Sequence, residues 1–231
     1  MIRFEFLERF GVVAAMSDRM DGDCSFRGPA DVLAKFLERI GGAVAHLVCA
    51  RQVHGNQILT VDRRHAGQGA LNLSRAVGEA DGLITGESRL PIGVTIADCV
   101  PVFLYAPGSK AGGIVHAGRE GTRAGISGAA VAALGEARAA SQSEIVAVIG
   151  PSAGPCCYEV SAEMADEWAE AGLPRGGRRL DLWEANRQQL LEAGVPADNI
   201  HVAGQCTICN AQFHSHRRSP GEGHNLAVLI L

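Results

Sequence analysis

The 231-residue sequence contains few aromatic residues, no long apolar segment and no run of basic residues. Aromatic side chains make up only 5% of the chain, so its core must be built mainly from aliphatic residues. No segment reaches the roughly 20 apolar residues that cross a bilayer. The first ten residues carry charges at Arg3, Glu5, Glu8 and Arg9 where a signal peptide would have its apolar core. We therefore expect a cytoplasmic protein that does not bind a membrane.

The basic residues are too dispersed for a nucleic-acid groove. The formal net charge is −4, and the densest basic cluster, Arg175, Arg178 and Arg179, is interleaved with glycine and contains no aromatic residue. Nucleic-acid-binding surfaces usually combine a continuous basic patch with stacking side chains. We therefore expect a small-molecule ligand and no nucleic acid, in a protein that is a monomer or a homodimer.

Apolar patterning predicts an α/β fold that forms one domain over residues 1–231. Short apolar runs between glycine and proline predict strands at Ile2–Leu7, Val44–Val53, Gln57–Val61, Leu83–Thr85, Ile92–Ile96, Val102–Tyr105, Gly113–Val115, Ile145–Ile149, Asn199–Val202 and Leu226–Leu231. Helical spacing predicts helices at Pro29–Ile40, Thr122–Ala140, Glu163–Ala171 and Leu182–Glu192. Because helices and strands alternate only in part, the predicted fold class is an α/β (α+β) sandwich with a mixed β-sheet core and flanking helices.

The seven cysteines are an odd number, and a cytoplasmic location argues against disulfides. Cys206 and Cys209 form a Cys-x-x-Cys motif, which together with His214 and His216 is one candidate for a second zinc site or a redox pair. Structural zinc ligands usually lie closer together in sequence, so simple packing is the alternative. The adjacent pair Cys156–Cys157 would need strain to form a disulfide, and we interpret both as packing thiols in a turn.

His54, Cys99 and His116 each follow an apolar run and precede a turn or a break. Strand ends hold side chains rigidly and leave one side open, which suits metal ligands. Two imidazoles and a thiolate are typical of zinc with a fourth position left for water or substrate, and zinc lowers the pKa of a bound water to ~7. The spacings are long, however: 45 positions (54 to 99) and 17 positions (99 to 116). An alternative therefore remains open: both histidines are structural residues with their hydrogen bonds made at the sheet edge, and Cys99 is a buried apolar residue.

Motifs in order along the chain resemble those of the YfiH family, also called the laccase-domain, polyphenol oxidoreductase or purine nucleoside phosphorylase family. The resemblance extends from about Gln52 to the C-terminus, and the residues before Gln52 match poorly. The matching strings include Gln52-Val53-His54-Gly55, Ala97-Asp98-Cys99-Val100-Pro101-Val102, Val115-His116-Ala117-Gly118, Ile149-Gly150-Pro151-Ser152, Gly154-Pro155-Cys156-Cys157-Tyr158-Glu159-Val160 and Phe213-His214-Ser215-His216-Arg217-Arg218.

The resemblance implies that His54, Cys99 and His116 are metal ligands, with Zn²⁺ expected and Cu²⁺ as the alternative. It also implies phosphorolysis of adenosine, inosine and methylthioadenosine, and deamination of adenosine, with Cys99 and His116 at the catalytic centre. Laccase-like oxidation of phenols by copper is also attached to the family name. A four-copper oxidase needs many histidines, usually in His-x-His pairs, whereas this chain has eight histidines and one such pair. The residue count therefore favours zinc, although copper outcompetes zinc at most N/S sites.

Residues within these motifs supply further candidates. Asp98 is the nearest candidate for catalytic proton transfer or for support of the metal ligands, and a turn-capping role is its alternative. Tyr158 and Arg217 are expected to bind substrate, because a guanidinium can hold a phosphate through two hydrogen bonds. A solvated surface pair formed by Arg217 and Arg218 is the alternative there.

The chain departs from the family pattern after His116. The family usually shows Trp-Arg-Gly at 119–121, whereas this chain has Arg119-Glu120-Gly121. A carboxylate beside a bound phosphate would repel it. Either Arg119 reaches the substrate and compensates, or phosphate binding is impaired.

The leading hypothesis is thus a zinc-dependent enzyme acting on a purine nucleoside and phosphate. A second hypothesis makes Cys99 a thiolate nucleophile with His116 as its base, as in cysteine hydrolases. A third, prompted by Glu120, is a divergent paralogue with altered or lost activity. Metal analysis separates the first two, and turnover of nucleosides tests the third.

Overall fold

The structure, a computed structural model, describes residues 1–231 and contains thirteen strands and six α-helices. The strands are β1 (Ile2–Arg3), β2 (Val13–Met16), β3 (Val48–Cys49), β4 (Ile58–Thr60), β5 (Gly82–Thr85), β6 (Ile92–Ile96), β7 (Val100–Ala106), β8 (Ala111–Ala117), β9 (Val146–Ile149), β10 (Arg175–Gly176), β11 (Arg179–Leu180), β12 (Ile200–Val202) and β13 (Asn225–Ile230). The helices are α1 (Glu5–Glu8), α2 (Ala30–Arg39), α3 (Arg119–Arg123), α4 (Ile126–Arg138), α5 (Ala162–Glu170) and α6 (Leu182–Glu192). None of the helices is long and apolar enough to span a bilayer.

The strands form two mixed sheets and a short hairpin of β10 with β11. The five-stranded sheet has the order β1-β2-β13-β6-β3, and the six-stranded sheet has the order β12-β9-β7-β8-β5-β4. Each sheet is antiparallel at its centre. Parallel pairing occurs only at the edges, between β3 and β6, β4 and β5, and β9 and β12.

The two sheets pack face to face, and helices cover both outer faces. Phe103 of β7 points between the sheets, where it belongs to the same apolar cluster as Leu229 of β13. Its neighbour Val102 points the opposite way and packs in a cluster with Leu134 of α4, as expected from alternation along a strand. Phe36 of α2 covers the five-stranded sheet. The resulting α/β/β/α layers confirm the predicted sandwich of mixed sheet and flanking helices.

The helix predictions were most accurate where local signals are strong. Helix α6 spans the predicted Leu182–Glu192, and the Asp181 carboxylate caps it by accepting a 3.0 Å hydrogen bond from the Glu184 N–H. Helix α2 lies within the predicted range. The backbone turns just after the helix at Gly41, whose φ of 78° is a left-handed conformation that favours glycine.

Three predicted elements extend well beyond the observed ones, whereas β7 (Val100–Ala106) and β8 (Ala111–Ala117) are longer than predicted. Thr122–Ala140 is not one helix, because Gly125 adopts a φ of 79° between α3 and α4. Ile2–Leu7 is a strand only as far as Arg3, since β1 pairs with just two residues of β2, and the following backbone satisfies its hydrogen bonds in the turn of α1. Within Val44–Val53, only β3 pairs with β6, and Arg51 forms an isolated bridge with Glu79.

Candidate metal centre

The side chains of His54, Cys99 and His116 meet beside one end of the six-stranded sheet. Their ligand atoms all lie within 4.8 Å of one another. His116 lies within β8, opposite Pro101 of β7, and Cys99 directly precedes β7. His54 lies in the loop between β3 and β4 and not at the end of a strand. The sequence thus identified three residues that the fold brings together, although only His116 lies in a strand.

Asp81 holds the loop that carries His54. Its carboxylate is fully buried and accepts backbone N–H hydrogen bonds from Val53 at 3.1 Å, His54 at 3.0 Å and Gly55 at 2.7 Å. His54 adopts a φ of 62°, a left-handed conformation that costs a non-glycine residue about 1 kcal/mol or more. The three hydrogen bonds maintain this conformation and so fix the position of the imidazole.

The same carboxylate orients the second histidine. Nδ1 of His116 lies 2.8 Å from Oδ1 of Asp81, and both side chains are buried. This bond leaves Nε2 of His116 free to act as a ligand, the arrangement in which a carboxylate fixes a metal-binding histidine. Sequence reasoning missed Asp81. The available signal was a single acidic residue directly before the apolar strand β5, where a buried charge needs partners.

The electrostatics of the three candidate ligands favour a thiolate. Burial opposes ionisation of Cys99, but the charges and hydrogen bonds of His116 and His54 outweigh it and lower the thiol pKa to about 6. Burial alone would lower the pKa of His116, because it disfavours the charged imidazolium. The negative charges and hydrogen bonds of Cys99 and Asp81 outweigh burial and raise that pKa to about 9. The hydrogen bond with Cys99 is the main reason that the pKa of His54 is raised. A thiolate is the form of cysteine that binds metals and also the form that attacks as a nucleophile.

Asp98 connects three loops around Cys99. Its φ is 85°, and its carboxylate accepts hydrogen bonds from the Thr207 hydroxyl at 2.6 Å and from the Arg217 backbone N–H at 2.7 Å. The Asp98 carbonyl accepts a third bond, from the N–H of Ala153. These contacts favour a positioning role for Asp98, and proton transfer by this residue stays a prediction.

A cavity of about 560 Å³ opens over the three candidate ligands, a volume within the usual range for small-molecule sites. The predicted substrate-binding residues Arg119, Tyr158 and Arg217 all line it. The Arg217 guanidinium lies 5.0 Å from the centre of the Tyr158 ring, and its Nη1 donates to the Glu159 carbonyl at 2.8 Å. The cavity therefore combines candidate metal ligands with the guanidinium groups of Arg119 and Arg217 and an aromatic face.

Arg119 and Glu120 lie on different sides of the cavity wall. Arg119 lines the cavity, whereas Glu120 is outside it. The Glu120 carboxylate pairs with Arg119 at 2.6 Å and with Arg123 at 2.8 Å. The Glu120 carboxylate is therefore neutralised by two guanidinium groups. Arg119 itself lines the cavity, where its positive charge can offset the repulsion between Glu120 and a bound phosphate.

The structure does not bring Cys206 and Cys209 together with His214 and His216, the candidate second site of the sequence analysis. His214 is buried, and its Nε2 lies 3.2 Å from the Gly22 carbonyl oxygen, whereas His216 lines the cavity. Neither belongs to a group that includes these cysteines. The sulfur atoms instead lie beside those of the pair Cys156–Cys157.

Comparison with known proteins gives a consistent picture. A family model described as multi-copper polyphenol oxidoreductase laccase matches residues 30–231. The purine nucleoside phosphorylase YlmD of Geobacillus stearothermophilus is 40% identical over 224 residues, with 92% of this chain and 79% of that protein covered.

Two solved structures share the fold. The crystal structure of YlmD from Geobacillus stearothermophilus matches with a TM-score of 0.88 and 35% identity, and covers 95% of this chain and 92% of that one. The crystal structure of Bacillus licheniformis hypothetical protein YfiH matches with a TM-score of 0.88 and 30% identity, and covers 96% and 93%. The family model begins well before Gln52, so the first part of the chain matches better than the motifs alone indicated. On these grounds the chain belongs to the multi-copper polyphenol oxidoreductase laccase family, together with its YlmD and YfiH relatives.

Proposed function

We propose that this chain is a zinc-dependent purine nucleoside phosphorylase whose metal is held by His54, Cys99 and His116. The observation that supports this most is the convergence of these side chains under a cavity lined by Arg119 and Arg217. Relatives that share most of the chain are named purine nucleoside phosphorylase. The cavity offers what such a reaction needs: a metal position, anion-binding groups and an aromatic surface.

The donor set fits zinc. Two imidazoles and one thiolate leave a fourth position open, and the Asp81 carboxylate behind His116 matches the outer support of such sites. Only one of the groups able to hold a metal contains histidine, and it contains two, too few for a four-copper oxidase. Zinc bound there would supply a Lewis acid next to the cavity.

The surrounding residues suit both substrates, phosphate and a purine nucleoside. In phosphorolysis a phosphate oxygen bonds to the anomeric carbon of the ribose while the bond from that carbon to the base nitrogen breaks. Arg119 and Arg217 carry the positive charge that would hold the phosphate through charge-assisted hydrogen bonds. The half-buried Tyr158 ring presents a flat face to a purine. We assign Asp98 the task of holding the Arg217 backbone in place.

Deamination of adenosine is the second reaction proposed for this cavity. It replaces the purine amino group with oxygen from water and releases ammonia, a reaction that zinc supports in other deaminases. The usual Pro-Cys-x-x-Cys signature is absent, because Pro155-Cys156-Cys157 has the wrong spacing. Any deamination would therefore depend on the His54, Cys99 and His116 set.

The test is turnover by the zinc-loaded chain with adenosine or inosine, in the presence and absence of phosphate, with chromatographic separation of products. Phosphorolysis yields free base and ribose 1-phosphate only when phosphate is present, whereas deamination yields inosine from adenosine without it. His116→Ala should abolish both reactions, and His46→Ala, at an exposed histidine outside the cavity, should retain them. An inactive zinc-loaded wild type would favour the divergent paralogue, and full activity of His116→Ala would exclude the proposed metal site.

A further inference from the structure

Four cysteines form a second cluster away from the candidate metal centre. The sulfur atoms of Cys156, Cys157, Cys206 and Cys209 all lie within 4.8 Å of one another, and those of Cys156 and Cys209 are 3.9 Å apart. Four sulfurs bound at about 2.3 Å to one tetrahedral zinc ion lie ~3.8 Å apart. We propose that these four cysteines bind a structural Zn²⁺ ion as a tetrathiolate site.

The arrangement is typical of a structural zinc site in its sequence spacing as well. Cys206 and Cys209 supply a Cys-x-x-Cys pair, the usual spacing of two zinc ligands on one loop. The pair Cys156–Cys157 supplies the other two ligands from a second loop. Simple packing explains this cluster poorly, because Cys156 and Cys209 are exposed and a free cysteine that serves only as a small apolar group is usually buried.

The backbone around the cluster supports a thiolate at its buried member. Cys206 is buried, and its Sγ accepts a 3.3 Å hydrogen bond from the backbone N–H of Gly154. A Cβ at Gly154 would lie 3.2 Å from the Cβ of Cys206 and 2.6 Å from the Trp183 ring, so glycine permits this close approach. Hydrogen bonds from backbone N–H groups to ligand atoms are the outer support that metal sites usually have.

A zinc ion at this position would connect the loop that carries Tyr158 to the loop that contacts Asp98, and both Tyr158 and Asp98 line the cavity. Tyr158, which lines the cavity, directly follows Cys157. Thr207 directly follows Cys206, and its hydroxyl donates a hydrogen bond to the carboxylate of Asp98. Asp98 is adjacent to Cys99 in sequence. Four protein thiolates leave no open coordination position, so the site would hold the two loops together without binding substrate. It shares no residue with the His54, Cys99 and His116 set, and the two proposals can fail independently.

The decisive experiment is a zinc count on the full-length chain, purified under reducing conditions and measured by mass spectrometry of the metal. The wild type should carry about two zinc ions per chain. The double variant His54→Ala/His116→Ala should keep about one ion, held by the four cysteines, and Cys206→Ser/Cys209→Ser should also keep about one. Cys24→Ala, at a cysteine outside both groups, should keep both. Reconstitution of the His54→Ala/His116→Ala variant with Co²⁺ should produce the intense sulfur-to-metal absorption of a tetrathiolate.

A measurement on the wild type avoids any dependence on variants that fold poorly. Alkylation followed by peptide mass spectrometry should modify the four cysteines slowly in the zinc-loaded protein and rapidly after chelation. Equal alkylation of exposed Cys156 and Cys209 before and after chelation would overturn the proposal. Absence of zinc from a folded His54→Ala/His116→Ala variant would overturn it as well, and iron or copper in place of zinc would overturn the choice of metal.

Discussion

The Nδ1 atom of His116 lies 2.8 Å from the Oδ1 atom of Asp81, in the interior of the protein. The same carboxylate accepts the backbone N–H groups of Val53, His54 and Gly55. One buried carboxylate therefore positions two of the three candidate ligands, one through its ring and the other through its loop. Burial raises the pKa of Asp81, but the hydrogen bonds from His116 and Gly55 outweigh it and keep the pKa below its ordinary value.

Replacement of Asp81 by asparagine should weaken zinc binding at the candidate metal centre. The substitution keeps the size of the side chain but removes its charge and one of its two acceptor oxygens. Loss of an outer carboxylate of this kind typically costs about 10- to 100-fold in metal affinity. Competition with a chromophoric chelator would measure the effect in a Cys206→Ser/Cys209→Ser background. Glu79→Gln, at an exposed carboxylate nearby in sequence, is the matched control, and equal affinities for the two variants would contradict the proposed role of Asp81.

Arg119→Met should impair phosphate binding. Hydrogen bonds to a charged group contribute about 1.5 to 3 kcal/mol, so the KM for phosphate should rise roughly 10- to 100-fold. Glu120→Gln should change it only a few-fold, because Glu120 lies outside the cavity in exposed ion pairs of small energetic value. Initial rates at varied phosphate and saturating nucleoside provide the comparison. A larger effect of Glu120→Gln than of Arg119→Met would show that the carboxylate, and not Arg119, controls phosphate binding.

Chelation should distinguish a metal enzyme from a cysteine hydrolase. If zinc is required, removal of the metal should abolish turnover, and added zinc should restore it. At the same time Cys99 should become accessible to alkylation, because zinc no longer protects its sulfur. Activity that survives chelation but is lost on alkylation of Cys99 would instead support the nucleophile hypothesis, in which His116 is the base. Because the exposed thiols of Cys156 and Cys209 also react, peptide mass spectrometry must identify the modified residue, and Cys206→Ser/Cys209→Ser is the control for alkylation outside the cavity.

Thr207→Val should destabilise the protein and disturb the cavity. Val has nearly the same shape as Thr, but it leaves the buried Oδ1 of Asp98 without the 2.6 Å hydrogen bond from the Thr207 hydroxyl. An acceptor buried without its partner costs about 1 to 3 kcal/mol, measurable as a lower midpoint of denaturant unfolding with an unchanged slope. Thr60→Val, at an exposed position in β4, should have little effect. Equal stability of the two variants would mean that Asp98 finds another partner.

Local sequence signals predicted the elements that depend on local interactions. Helix α6 matched because its apolar periodicity and its Asp181 cap are both encoded within a few residues. The apolar runs of β6, β7 and β8 were identified for the same reason. Errors occurred where pairing partners decide the outcome, as at Ile2–Leu7, whose alternation resembles a strand but whose pairing with β2 ends after Arg3.

The sequence by itself determined the fold class and, through residue type and family resemblance, the candidate ligands His54, Cys99 and His116. Only the tertiary structure revealed Asp81 as the shared partner of His54 and His116, because residues 54, 81 and 116 meet through contacts between segments far apart in the chain. It also decided that Cys206 and Cys209 face the pair Cys156–Cys157 and not the nearby histidines. The physical reason is that β9 and β12 are adjacent and parallel, so the segments that follow them leave the sheet at the same edge, where Ser152 bridges to Cys206.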